Sequence, residues 1–256
     1  AIELDASAVA AGIRGAFLAL NDAQQAALTA LLAARDAFGV HLLQGVTGSG
    51  KTEVYLHAAR EMLDCKRQVL MLIPEIGLSE QLVQRFRARF GASVAVLHSE
   101  LTERERSLVW ARARSGAVGI VLGTRSAVWT PLPSLGLVVV DEEHDPAFKQ
   151  QDGFRYSARD VAVMRARDAG IPIMLGSATP SLETEYNVQQ GKYRRLLLPQ
   201  RAGGAQAPTL RGVDVRGLAL TGGLGDTLCR AIDEHLQRSE QVLLFLNRRG
   251  YAPVLM

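Results

Sequence analysis

The sequence predicts an α/β fold: a parallel sheet flanked by helices, followed by the truncated start of a second lobe of the same kind. Three observations predict it. Short, near-continuous apolar runs recur along the chain, as strands buried on both faces of a parallel sheet require. Amphipathic helical stretches separate them, which is the alternation of a doubly wound domain. A glycine-rich loop, "GVTGSGKT" at Gly45–Thr52, lies between one such run and one such helix.

The expected strands are His41–Gln44, Gln68–Ile73, Ser93–Leu97, Gly119–Gly123, Leu137–Val140, Ile171–Leu175 and Tyr193–Leu198. A helix, "KTEVYLHAAREML", follows the glycine-rich loop. "TERE" at Thr102–Glu105 is a capping box, in which the Thr hydroxyl and the Glu carboxylate satisfy free N–H groups at a helix start. "SLETEYNVQQG" opens on Ser181 as N-cap and stops at Gly191. From residue 199 the composition shifts to "PQRAGGAQAPT", rich in Gly, Ala and Pro, which reads as a linker. Beyond it come one helix, "LGDTLCRAIDEHLQR", and one strand, "QVLLFL" at 241–246, too little to make a domain. "TGGLG" at 221–225 follows no clear strand and reads as the turn before that helix. The expected organisation is a lead-in at 1–19, a lobe at 20–198, a linker at 199–212 and the incomplete start of a second lobe at 213–256. On this reading the chain is a fragment.

Composition narrows the classes. At 256 residues with 48% hydrophobic content, the chain can bury a sizeable core. A net charge of +3 is compatible with nucleic acid and equally with an ordinary solvated surface. Aromatic content of 5% limits any base-stacking surface to a few side chains. The two cysteines, Cys65 and Cys229, form neither a disulfide framework nor a zinc site and fit a reducing, cytoplasmic setting. No apolar run approaches a membrane span, and the N-terminus lacks a signal-peptide pattern. His41, His57 and His235 look like ordinary helix or strand residues, and no His/Cys constellation suggests a metal beyond magnesium.

Gly45, Val46, Thr47, Gly48, Ser49, Gly50, Lys51 and Thr52 fit GxxxxGK[ST], the phosphate loop of P-loop NTPases. The glycines let backbone N–H groups converge on phosphate oxygens. Lys51 reaches the terminal phosphates of ATP, and the Thr52 hydroxyl ligates Mg²⁺. "LVVVDEEH" then places Asp141 and Glu142 at the carboxyl end of a buried strand, the edge where open α/β sheets bind ligands. Asp141 holds the magnesium, and Glu142 orients and deprotonates the attacking water. A solvated acidic loop is the plainer reading of such a charge run, but not directly after four apolar strand residues. Lys51, Asp141 and Glu142 are therefore the candidate catalytic set for nucleoside triphosphate hydrolysis. No LSGGQ-type transporter signature and no NKxD motif of switch GTPases occurs.

The remaining motifs, in order, resemble a superfamily 2 helicase with a RecA-like lobe. They are "LNDAQ" (20–24), "PEIGL" (74–78), "GTRSA" (123–127), "DEEH" (141–144) and "GSATP" (176–180). With "LHSELTERER", "DEEHDPAFKQQDGFRY", "SARD" and "FLNRRG" added, the set looks like the PriA family of primosomal replication-restart helicases, from about Leu20 to Met256. The resemblance implies Gln24 as adenine reader and a DNA-contacting role for "PEIGL" and "GTRSA". It implies coupling of hydrolysis to DNA through "GSATP", with Ser177 and Thr179. It also implies an aromatic-rich loop that senses single-stranded DNA, for which Lys149, Arg155 and Tyr156 are the candidates.

Simple chemistry supports these assignments, each with a plainer alternative. Thr124, Arg125 and Ser126 offer a hydroxyl, a guanidinium and a hydroxyl to a phosphate backbone, or form an ordinary turn. Phe148, Phe154 and Tyr156 stack on bases, or anchor their loop in the core; for Phe148 both readings stand. His144 bridges the acidic box to "GSATP" by a hydrogen bond, or is a satisfied loop histidine.

The resemblance further implies ATP-driven 3′-to-5′ unwinding of single-stranded and forked DNA. Its implied partners are other primosome proteins and single-stranded-DNA-binding protein. It places a zinc-binding insertion and an arginine finger in the part of the parent outside this chain, so this chain alone is expected to hydrolyse poorly and not to unwind. Two other functions compete: a nucleotide-gated DNA-binding module that recruits partners, and a fork-remodelling translocase of the RecG type. The Asp141–Glu142 pair favours hydrolysis, which a recruiting module does not need.

Overall fold

A computed structural model describes residues 16–75, 78–202, 209–218, 220 and 222–245. Part of the lead-in (1–15), part of "PEIGL" (Ile76, Gly77), part of the linker (203–208) and the "NRRG" segment lie outside the described residues. The chain divides into two compact units, Ala1–Gln206 and Ala207–Met256.

The first unit is built on seven parallel strands: β1 (Gly39–Gly45), β2 (Gln68–Leu72), β3 (Val94–Leu97), β4 (Ile120–Gly123), β5 (Leu135–Val140), β8 (Pro172–Ser177) and β9 (Tyr193–Leu198). Their order is β3-β4-β2-β5-β8-β1-β9. Each strand expected from the sequence here is present. The register places Val69 of β2 beside Ile120 of β4 and Val138 of β5 beside Ile173 of β8. Two further strands, β6 (Lys149–Gln150) and β7 (Tyr156–Ser157), form a small antiparallel hairpin.

Alternate residues of the sheet feed two cores. On one face Leu43, Met71, Leu122, Val139 and Met174 pack with α1 (Asp22–Leu32), α2 (Lys51–Asp64) and α3 (Glu80–Phe90). On the other, Leu42, Leu70, Val121, Val138 and Leu175 pack with α4 (Glu103–Arg114) and α5 (Ala158–Asp168). This two-sided burial is why the strands are apolar throughout. Phe148, 2% exposed, belongs to the second core, which decides its role in favour of anchoring.

Helix ends follow the caps in the sequence. Thr102 and Glu105 exchange the two capping-box hydrogen bonds, with Thr102 N–H donating to Glu105 Oε2 at 2.9 Å. Ser181 caps α6 (Leu182–Gln189), which stops before Gly191 at φ +69°. Helix α1 carries a second capping box, between Asn21 and Gln24.

In the second unit the described residues form one helix, α7 (Asp226–Gln237), entered through a turn at Gly222–Gly223. The strand expected at 241–246 is corrected: among the described residues Gln241–Phe245 pair with no strand, and Leu246 lies outside them. An apolar run becomes a strand only where a neighbour takes up its N–H and C=O groups.

Candidate functional site

The phosphate loop, the acidic box, "GTRSA" and "GSATP" all follow carboxyl ends of sheet strands, β1, β5, β4 and β8 respectively. Parallel pairing alone therefore gathers them at one edge of the sheet.

The loop between β1 and α2 takes its shape from Gly48 and Gly50, whose φ angles are +78° and +81°. A Cβ on Gly50 would stand 2.4 Å from Gln24 Nε2, and one on Gly45 would stand 2.3 Å from Ser49 Oγ. Gln24 is buried and braces this loop: its Nε2 donates to Ser49 O at 2.9 Å, while its Oε1 accepts from Asn21 N at 2.9 Å. The adenine-reading role expected of Gln24 would have to use the hydrogen-bonding capacity of the amide that these two bonds leave over.

The loop borders a cavity of about 580 Å³, whose other walls include Leu18, Gln24, Thr52, Asp141 and Glu142. Helix α2 begins there with no side-chain cap, so its first N–H groups are available to an anion. Ser49 Oγ is buried without a hydrogen-bond partner among the described residues. Lys51 Nζ lies 3.3 Å from Glu142 Oε1 and 3.5 Å from Gly45 O. These features suit a polyanion. The oxygen donors Thr52 and Asp141 suit a hard cation such as magnesium.

Burial pushes the Asp141 carboxyl up; the Tyr55 hydroxyl, donating to Oδ1 at 2.9 Å, opposes this, and the Glu142 charge reinforces it. Burial likewise drives the Tyr55 hydroxyl well above its ordinary range, so it stays a donor. Glu142 adopts φ +45°, a conformation uncommon for a residue with a side chain. Its Oε2 lies 3.7 Å from His144 Nδ1.

His144 makes the hydrogen bond expected of it. Its Nδ1 lies 2.8 Å from Ser177 Oγ, and its Nε2 lies 3.4 Å from Thr179 Oγ1. Ser177 Oγ also accepts from Thr179 N at 3.0 Å. Hydrogen bonds therefore join His144 to "GSATP", with the Glu142 carboxylate alongside but beyond hydrogen-bond reach.

Glu143 is 2% exposed and receives four hydrogen bonds from three residues. Its carboxylate accepts from Arg159 Nη1 (3.1 Å), Ser181 N (2.7 Å), Ser181 Oγ (3.0 Å) and Thr184 Oγ1 (2.9 Å). The box is thereby fastened to the starts of α5 and α6. Both helix starts are serine-capped and attract negative charge, but they lie far from Glu143 in the sequence, which therefore carries no local signal for this role.

Of Thr124, Arg125 and Ser126, only Ser126 is exposed. Thr124 is buried, and Arg125 Nη1 donates to Ala147 O (3.0 Å) and Lys149 O (3.2 Å). Arg125 thus ties its turn to the start of the β6–β7 hairpin. Lys149 and Arg155 are exposed on that hairpin, and Tyr156 is half-buried. Phe154 lies 6.0 Å from Tyr156, whose other neighbour is Trp129 at 5.3 Å and 63°. Trp129 and Phe154 are exposed, so the aromatic surface includes a tryptophan from the turn after "GTRSA", outside the aromatic-rich loop. Among the described residues no helix is long and apolar enough to cross a membrane. Nor does any cluster of three or more His, Cys, Asp or Glu form a further metal site among them.

A sequence model of the family described as DEAD/DEAH box helicase matches residues 21–188. The chain is 51% identical over 239 residues to the replication restart protein PriA of Haemophilus influenzae, covering 93% of this chain and 33% of that protein. It is 39% identical over 244 residues to the protein of the same name from Bacillus subtilis, covering 93% and 30%. The chain thus spans about a third of the length of these curated relatives. Among solved structures, that of RecG bound to a three-way DNA junction matches with a TM-score of 0.55 at 22% identity, over 74% of this chain and 25% of that one. The UvsW helicase of bacteriophage T4 matches with a TM-score of 0.50 at 15% identity, over 75% and 65%. These structures share the fold.

Proposed function

The chain belongs to the DEAD/DEAH box helicase family, and from that membership we propose that it is the ATP-binding lobe of a 3′-to-5′ DNA helicase of replication restart. In this proposal residues 20–198 form the lobe, 199–212 the linker and 213–256 the start of a second lobe. The identity to replication restart proteins over 93% of the chain supports the assignment to that process. The observation that carries the chemistry is the convergence of Lys51, Asp141 and Glu142 on one cavity beside an uncapped helix start.

The geometry supports the following roles. Loop N–H groups and Lys51 hold the triphosphate, and on its arrival the Lys51 ammonium exchanges Glu142 for phosphate oxygens. Glu142, released from that ion pair, is free to accept a proton from the attacking water. Magnesium, held by Thr52 and Asp141, would supply charge neutralisation at the phosphates. His144 senses the state of Glu142 and passes it to Ser177 and Thr179. Lys149, Arg155, Tyr156 and Ser126 meet single-stranded DNA, with Thr124 and Arg125 supporting them from behind. Primosome proteins and single-stranded-DNA-binding protein are the partners this process would bring. A recruiting module without hydrolysis would not need the Asp141–Glu142 pair, which favours the motor reading.

The test is ATP turnover by this chain with and without single-stranded DNA, beside Glu142→Gln. ATP bound with little turnover is the outcome expected of this chain alone, and turnover raised by DNA and lost in the variant would support the proposal more strongly. A chain that binds no ATP would refute it.

A further inference from the structure

Before α1 begins, the segment 16–20 lies against α2 and α3 and is held at one residue. Leu18 N–H donates to Glu53 Oε1 at 3.0 Å, and Leu18 O lies 3.0 Å from His57 Nε2. Glu53 and His57 stand one turn apart on α2, and both are buried. Arg89 of α3 fixes the Glu53 carboxylate from behind, at 3.3 Å and 3.5 Å. Next to Leu18, the Phe17 ring meets His57 edge-on at 5.0 Å and Phe90 at 5.9 Å, with the Arg60 guanidinium 4.8 Å from its centre.

Such anchoring is unusual for a segment without regular structure. Both backbone polar groups of Leu18 are bound to side chains, while its own side chain is 66% exposed. That side chain, with Ala19, borders the cavity otherwise walled by the phosphate loop and the acidic box. A triphosphate gains nothing from an aliphatic wall. A nucleobase does, because its flat faces are apolar and its edges carry the polarity.

We propose that Glu53 and His57 are positioning residues that hold Leu18 as the wall against which the base of ATP packs. The base-dependent part of nucleotide affinity then depends on two α2 side chains that grip the Leu18 backbone. His57 is the informative one, since Glu53 borders the cavity itself and His57 does not. This inference rests on the ATP reading above.

The experiment is calorimetric titration of the whole chain, with magnesium present, by ATP and by inorganic tripolyphosphate. Wild type, His57→Ala, Leu18→Gly and the double variant are compared, with circular dichroism melts to establish folding. His57→Ala should weaken ATP by about tenfold, as loss of one well-made hydrogen bond allows, and leave tripolyphosphate unchanged. Leu18→Gly should do the same, and the double variant should lose little more than either single one, because both act through one wall. Equal weakening of both ligands would overturn the inference, since it would mean general damage to α2 and its loop. Fully additive losses would overturn it too. A wild-type chain that binds the two ligands equally tightly leaves the ATP site standing and removes this proposal. A wild-type chain that binds neither removes both.

Discussion

Glu143→Ala should be among the most costly single changes near the acidic box. The carboxylate is 2% exposed and receives four hydrogen bonds, from Arg159, from Ser181 twice and from Thr184. Truncation strands the Arg159 guanidinium, whose side chain is only 11% exposed, and leaves Ser181 N–H and the Thr184 hydroxyl without this acceptor. Removing one partner of a buried charge pair costs about 3–5 kcal/mol. Arg159 keeps Asp160 at 2.9 Å and Ser181 Oγ at 2.8 Å, which argues for the lower end. A loss of about 3 kcal/mol corresponds to a fall in Tm of about 6–12 °C for a unit of this size. Urea and thermal denaturation at pH 7, followed by circular dichroism, measure it. Arg159→Ala should cost a similar amount, and the double variant should recover about 1–3 kcal/mol of the summed loss because neither charge is then stranded. A cost below about 1 kcal/mol, or strict additivity, would show that the cluster is not the fastening described.

Three other outcomes are expected. Asp141→Asn should raise stability at pH 7 by about 1 kcal/mol while abolishing turnover. Its carboxyl is pushed above the usual range by burial, so ionisation costs stability above the folded pKa, and the gain should vanish as pH falls through that value. His41, with neither ring nitrogen hydrogen-bonded among the described residues, is held down by burial to about 4 from 6.5. Above pH 6.5 it is neutral folded and unfolded; between 6.5 and 4 only the unfolded chain gains the proton. Stability should therefore fall across that window, by at most about 3 kcal/mol, and His41→Leu should flatten the urea midpoint against pH. Phe154→Ala should weaken oligothymidine binding by about 1–3 kcal/mol in fluorescence anisotropy; unchanged affinity would exclude Phe154 as a stacking residue.

What was legible in the sequence was what is local in it. The seven sheet strands could be read because each is an apolar run buried on both faces, and Tyr193–Leu198 matches residue for residue. The meeting of the phosphate loop and Asp141–Glu142 at one cavity could be read because each is a run of consecutive residues after a strand. The β6–β7 hairpin, two residues a side, is too short to have a period, and the run at Gln241–Phe245 has the composition of a strand without a ladder. Glu143 and Leu18 escaped notice for another reason. Their partners lie 16 to 41 residues away for Glu143 and 35 or more for Leu18, so nothing nearby marks them.

The box itself divides in two. Asp141 and Glu142 border the cavity, while Glu143 turns to the starts of α5 and α6. The family name spells this third position with alanine, a side chain that could accept nothing from Arg159. A relative with alanine here cannot keep an unpaired arginine at the equivalent of position 159 without the cost of a stranded buried charge. Glu143 and Arg159 are therefore expected to change together, independently of the residues that border the cavity.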